Sequence, residues 1–170
     1  MKFSHFSRHS VYAIAISLTA CTMPANGGSP TAGCTPGADA GQSAAGIQQV
    51  SLCVSSAKKT RAFNVEVAAT SAQQARGLMF RTALADNAGM IFPFPEPRFA
   101  SFWMKNTVIP LDIIFIRADG TIESIADNTI PYSTIPVESG EPVVAVLELR
   151  GGLAAELGIA AGDTVKWAAK

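Results

Sequence analysis

The chain has 170 residues, with 13 basic and 13 acidic side chains and an apolar content of 48%. No block of like charge occurs along it, so the clustered basic surface that nucleic-acid binding requires is missing. The two histidines, His5 and His9, both fall within the first ten residues. If that segment is removed on export, the mature chain has no Ser-His-Asp or Cys-His catalytic centre and no His-ligated metal site. We therefore expect no metal and no cofactor.

The N-terminus has the pattern of an exported protein. Residues 1–10 carry Lys2 and Arg8 and no acid, and the apolar run 11–18 is too short to span a bilayer, which predicts a signal peptide over residues 1–20. The next residues, Leu18-Thr19-Ala20-Cys21, resemble the lipobox of bacterial lipoproteins, in which the cysteine is diacylated and becomes the new N-terminus. This resemblance implies lipidation of Cys21 and a location in the cell envelope, anchored in the membrane and facing the periplasm. Thr22 in place of Asp favours the outer membrane, whereas an ordinary cleavage site with a bystander cysteine is the alternative.

Residues 21–47 are predicted to be a disordered tether, because after the cysteine they are nearly all Ala, Gly, Pro, Ser and Thr. A coil of this length spans on the order of 30 Å. Residues 48–170 have the length of a single domain. In an oxidising compartment Cys34 and Cys53 could form a disulfide worth roughly 3 kcal/mol, the alternative being two free thiols. Cys53 alternates with Leu52 and Val54, so it is expected on the opposite, accessible face of its strand.

Short strands with Pro and Gly between them dominate the predicted domain. Residues 61–69 alternate apolar and polar side chains, as a half-buried strand does. Thr70 and Gln73 form a capping box at the start of a helix whose apolar stripe is expected to include Leu78. Asp119-Gly120 is a hairpin turn signal, and the strand before it, 111–117, is expected to be central and buried on both faces. Further strands are predicted at 89–94, 100–105, 121–126, 143–150 and around Val165, with a proline-rich turn between the first two and a second short helix at 153–157.

These elements predict a mostly-β fold, a sandwich or barrel, with two short helices. Within residues 76–117 and 142–167 the motifs are RGLMFR, GMIFPF, FWMKNT, PLDIIF, VLEL and GIAAGD. They resemble the domain of unknown function 192 (DUF 192) family, with FWMKNT followed by PLDIIF as the most specific part. The resemblance implies a small, mostly-β domain that is frequent in exported bacterial proteins and has no established activity.

Two carboxylates fall among apolar neighbours on predicted inner strands. Asp112 shares a face with Ile114, and Glu148 shares one with Val146, so burial would raise their pKa values unless cations or amide donors compensate. We expect them to meet a polar cluster near FWMKNT, and they are the candidate catalytic residues. The candidate ligand-binding residues are Arg81, Trp103, Lys105, Asn106, Thr107, Asp112 and Glu148.

Three functions are consistent with this pattern. The first is an envelope binding or accessory module for a small molecule or an envelope polymer. The second is a hydrolase or lyase acting on envelope carbohydrate through Asp112 and Glu148. The third is a structural partner in an envelope assembly, in which the polar cluster only fixes strand register. Convergence of Lys105, Asn106, Asp112 and Glu148 on a pocket would favour the first two, and a flat apolar surface the third.

Overall fold

An eight-stranded mixed sheet is the framework of the protein in a computed structural model that describes Met1 and residues 34–57 and 59–167. The predicted signal peptide beyond Met1, Cys21 and the tether up to residue 33 lie outside the described residues. The elements are β1 Asp39–Gln42, β2 Gln48–Ser55, β3 Thr60–Val67, α1 Ser71–Arg76, β4 Ala88–Arg98, β5 Ser101–Phe102, β6 Leu111–Ile116, β7 Ile122–Ala126, β8 Val137–Glu138, β9 Val143–Arg150, α2 Leu153–Leu157 and β10 Thr164–Lys166.

The strands of the sheet follow the order β1-β2-β3-β4-β9-β6-β7, with β10 also paired to β2, while β5 and β8 form a separate two-stranded sheet. Strands β3 and β4 are parallel and the other neighbours are antiparallel. An isolated β-bridge pairs Thr121, the residue before β7, with Thr164 of β10. The sheet is nevertheless not a closed barrel. The mostly-β prediction with two short helices is confirmed.

Two apolar clusters pack on the two faces of the sheet. The first takes side chains from β2, β3, β4, β6, β9 and β10 and is completed by Leu153 and Ala154 of α2. The second takes the opposite faces of β4, β6 and β9 and is covered by Leu78, Ala100 and Met104. Strand β6 contributes to both, and all six of its residues are buried, as its continuous apolar sequence predicts. It is not central, however, because it lies between β9 and the edge strand β7.

The predicted capping box starts α1. The Thr70 hydroxyl accepts from the Gln73 amide at 3.2 Å, and the Gln73 side chain accepts from the Thr70 amide at 2.9 Å. The helix ends at Arg76 because Gly77 adopts φ 48° and ψ −136°, which only glycine reaches without strain. No residue of α1 is buried, so the expected apolar stripe is wrong; Leu78 becomes buried only after the chain has left the helix.

Strand β4 corrects the prediction of two strands separated by a proline-rich turn. It runs unbroken from Ala88 to Arg98 through three prolines. Pairing with β3 ends at Ile91, so beyond that point β9 is the one described strand that pairs with β4. Proline is tolerated where one edge of a strand is free. On that free edge the Pro93 carbonyl accepts from the Gln74 side chain at 3.1 Å. The second predicted strand, 100–105, is reduced to the two residues of β5.

The N-terminal boundary of the domain is earlier than the sequence predicts. Strand β1 lies inside the predicted tether and pairs with β2. Backbone pairing needs no large apolar side chains, which is why composition did not indicate this strand. Cys34 and Cys53 are joined in a disulfide with a Cα–Cα distance of 5.9 Å. Cys53 is buried rather than accessible, and its sulfur is bonded to Cys34.

Candidate functional site

A pocket of about 280 Å³ opens between α1, β4 and the FWMKNT segment. Its walls include the rings of Phe92, Phe102 and Trp103, and its lining includes the buried acid Glu148. Phe92 and Phe102 pack edge to face with ring centroids 5.1 Å apart, which fixes the ring of Phe102 beside the pocket. Trp103 is 49% exposed, so part of its indole is available to a ligand.

Glu148 lies on β9 directly between Met90 of β4 and Ile113 of β6. Its side chain therefore has apolar neighbours on both sides, and the residue is only 5% exposed. No hydrogen bond reaches its Oε2 atom among the described residues. Burial raises the pKa of Glu148 from 4.5 to about 8, so the carboxyl is mostly protonated at neutral pH. A protonated carboxyl both donates and accepts hydrogen bonds.

Gly77 lies beside this carboxyl. A Cβ atom at this position would lie 3.3 Å from the Phe92 ring and 3.9 Å from Oε2 of Glu148. Its positive φ and this close approach together explain a glycine immediately after α1. The backbone can thus cover Glu148 without filling the pocket.

Two arginines border the pocket, Arg76 at the end of α1 and Arg98 at the end of β4. Both are exposed. The guanidinium carbon of Arg98 lies 3.8 Å from the centroid of the Phe94 ring, which holds the plane of the group by a cation–π contact. Among the described residues neither arginine forms an ion pair, whereas three other arginines, at 81, 117 and 150, each have a carboxylate partner.

Sequence reasoning missed both arginines. Arg98 follows three prolines whose sequence predicts a turn, and only the unbroken course of β4 carries it to the pocket. Arg76 begins the motif RGLMFR, but its type and spacing alone indicate no role. The sequence signal at this end of α1 is Gly77, which interrupts a helical pattern and marks a close backbone approach.

Asp112 is on the other face of the sheet from Glu148. Strand register places Ile113 opposite Glu148, and the side chains of Asp112 and Ile113 point to opposite faces. Asp112 is fully buried, but its carboxylate is satisfied by three backbone amides: Asn128 at 2.7 Å, Gly152 at 2.8 Å and Ala154 at 2.7 Å. It therefore fixes the start of α2, and the structure does not bring Asp112 and Glu148 together in one polar cluster as expected.

Lys105, Asn106 and Thr107, the other predicted members of the polar cluster, have different environments. Lys105 is exposed, with its ammonium 5.1 Å from the centroid of the Trp103 ring. Asn106 has a left-handed backbone, φ 58°, and its carbonyl accepts from the amide of Phe80 at 2.9 Å. Thr107 is buried and lines the pocket.

Arg81 binds a different partner. Its Nη2 atom donates to both carboxylate oxygens of Glu66, each at 2.8 Å. Glu66 is buried although strand alternation predicted it outward; the ion pair with Arg81 offsets the cost of burial. Of the seven predicted site residues, Trp103, Thr107 and Glu148 line the pocket.

No group of three or more His, Cys, Asp or Glu side chains that could hold a metal occurs within residues 34–57 and 59–167. In that same part of the chain no helix has the length and apolar character needed to cross a membrane.

Two solved structures share this fold. A protein of unknown function from Novosphingobium aromaticivorans DSM 12444 is 50% identical, with a TM-score of 0.74 over 76% of this chain and 93% of its own. A protein from Sinorhizobium meliloti 1021, described as a "putative transcription regulator", is 40% identical, with a TM-score of 0.69 over 71% of this chain and 94% of its own. No curated protein matches the chain significantly. The family model of DUF192, described as uncharacterized ACR, matches residues 52–167, and the chain belongs to this family.

Proposed function

We propose that the protein is a lipid-anchored binding protein of the bacterial cell envelope, whose domain holds a small ligand in the pocket around Glu148. The observation that carries this proposal is the buried carboxyl of Glu148, which lines an aromatic pocket and has an oxygen without a hydrogen-bond partner in the described residues. Buried polar groups are normally hydrogen-bonded, so such an atom needs an explanation. A ligand that enters the pocket would supply the missing partner.

The envelope part of the proposal is supported by the lipobox-like sequence before Cys21 and by the Cys34–Cys53 disulfide. Disulfides persist in oxidising compartments such as the periplasm. We expect Cys21→Ser to abolish fatty-acid labelling and to release the protein from the membrane fraction. Cys34→Ser is the matched control and is expected to remain anchored. A Cys21→Ser protein that is still acylated and still pelleted with membranes would disprove the anchor.

The binding part can be tested with a small-molecule library and the full chain. Ligands of the pocket should raise the thermal midpoint of the wild-type protein and leave that of Glu148→Leu and Trp103→Ala unchanged. Glu141→Gln is the control, because Glu141 does not line the pocket. If every ligand found shifts the wild type and both pocket variants equally, the pocket is not the binding site.

Carbohydrate cleavage is less well supported by the geometry. The usual mechanism needs two carboxyl groups roughly 5 to 9.5 Å apart on either side of the bond. Asp112 is on the other face of the sheet and accepts from three backbone amides, which leaves Glu148 as the only acid among the described residues that line the pocket. A lone carboxyl in an aromatic pocket favours binding.

A role in transcription is not carried over from the Sinorhizobium protein. Without Lys2 and Arg8 the chain has 11 basic and 13 acidic side chains. Proteins that bind DNA present clustered positive charge, because neutralising phosphates supplies most of their affinity.

A further inference from the structure

The charge around the pocket indicates what kind of molecule it takes. We infer that the ligand is a small organic acid built on one hydroxylated ring, with its carboxylate at Arg76 and Arg98 and its ring against Phe102 and Trp103. This inference rests on the proposed function, since it names the ligand class of the same pocket.

The two arginines at the pocket indicate that the ligand carries a carboxylate. Arg76 and Arg98 both border the pocket, and within the described residues neither has a carboxylate partner. The stacking of Arg98 on Phe94 fixes the plane of its guanidinium, so the in-plane N–H donors are free to bind a carboxylate in a bidentate manner. Lys105 does not line the pocket, but its ammonium lies 5.1 Å from the centroid of the Trp103 ring and adds positive charge near that wall.

The buried end of the pocket specifies an uncharged polar group. Glu148 is 5% exposed, whereas both arginines are exposed, so the charged end of a ligand belongs at the mouth. The protonated carboxyl of Glu148 does not repel an anion, and it can exchange hydrogen bonds with a hydroxyl group. The pocket therefore selects a molecule that is anionic at one end and hydroxylated at the other.

The walls and the volume specify the ring. About 280 Å³ is slightly below the range of pockets for drug-sized ligands, so one ring with its substituents is the expected size. Phe102 and Trp103 offer flat apolar surface, on which either a sugar ring or an aromatic ring can pack. A sugar acid and an aromatic acid share the same chemistry, which is a hydroxylated ring that carries one carboxylate.

Isothermal titration of the full chain with D-galacturonate and with 4-hydroxybenzoate tests the inference, with D-galactose and 4-hydroxybenzamide as uncharged counterparts. At least one acid is expected to bind tenfold or more tightly than its counterpart, and the one that binds identifies the ring. Arg98→Gln should weaken that binding by tenfold or more. Arg61→Gln is the matched control, because Arg61 also lacks an ion pair within the described residues but does not line this pocket.

The pH dependence of ligand affinity distinguishes a role of Glu148 in binding from a purely structural role. Between pH 6.5 and 9 the affinity for the acid should fall at least fivefold, because Glu148 loses its proton and then repels the anion. The other charged groups around the pocket are Arg76, Arg98, Lys105 and Glu138, which accepts from Ser101. Glutamine cannot ionise, so Glu148→Gln should abolish the dependence that comes from this residue.

Three outcomes would overturn the inference. One is equal affinity for each acid and its uncharged counterpart. Another is binding of inorganic phosphate as tight as that of the ring acids, which would show attraction to charge alone. The third is that neither acid binds although a different ligand gives a shift that depends on Glu148; the proposed function then stands and only the ligand class is wrong. If no ligand gives such a shift, the proposed function fails as well.

Discussion

Replacing Glu148 by Gln should make the protein more stable at alkaline pH and remove part of the pH dependence of its unfolding. A carboxyl whose pKa rises from 4.5 unfolded to about 8 folded binds its proton more tightly in the folded state. The free energy of unfolding therefore falls as the pH rises above 4.5, and it levels off above 8. Glutamine keeps the shape of the side chain but cannot ionise.

The magnitude follows from the shift. One pKa unit corresponds to about 1.4 kcal/mol, so the full shift is worth roughly 4 to 5 kcal/mol, and the part lost between pH 5 and pH 8 is about 3 kcal/mol. Urea titrations of the wild type and Glu148→Gln at pH 5 and pH 8 measure it as the change in their stability difference. Other titrating groups, such as Asp86 and Asp119, whose pKa values are lowered by hydrogen bonds to Arg150 and Thr121, are present in both proteins and cancel. A change of less than about 1 kcal/mol would show that Glu148 is solvated and that its pKa is not raised as stated.

Three further predictions concern residues outside the pocket. Asp112→Ala should lower the free energy of unfolding by about 3 to 5 kcal/mol, because it leaves three amides without acceptors; denaturant titration checks this, and a loss below about 1 kcal/mol would contradict it. Mass spectrometry without reductant should find Cys34 and Cys53 protected from alkylation, and reduction should cost roughly 3 kcal/mol; two alkylatable thiols in the untreated protein would rule out the disulfide. Lys105→Met should change stability by less than about 1 kcal/mol, as for other surface positions, because its exposed ammonium has no carboxylate partner among the described residues; a loss of several kcal/mol would mean that it neutralises a buried acid.

Local sequence signals predicted the elements whose stability is local. The capping box of Thr70 and Gln73 starts α1, and the Asp119-Gly120 turn joins β6 to β7. These features depend on residues that are near one another in sequence. Strand β6 was also predictable as doubly buried, because its apolar residues are continuous.

The missed elements depend on partners that are distant in sequence. Strand β1 exists because β2 offers an edge and the Cys34–Cys53 disulfide lies beside it, neither of which is visible in a run of small residues. Strand β4 continues through Pro93 because β3 has already ended beside it and Gln74 satisfies the exposed carbonyl. Proline is a strand breaker only where a neighbour needs its N–H.

The position of the site depends on the register between β6 and β9, which cannot be read from the sequence. Alternation correctly placed Asp112 with Ile114 and Glu148 with Val146, but it cannot say which face of β6 coincides with which face of β9. Because Ile113 is paired with Glu148, the two acids are on opposite sides of the sheet, and a shift of one residue would have brought them together. The separation gives each acid a different environment. Asp112 receives three amide donors and fixes α2. Glu148 has an oxygen without a hydrogen-bond partner in the described part of the chain, beside a pocket bordered by two arginines. One protonated acid with cations at the mouth suits an anionic ligand, whereas two convergent carboxylates would have repelled it.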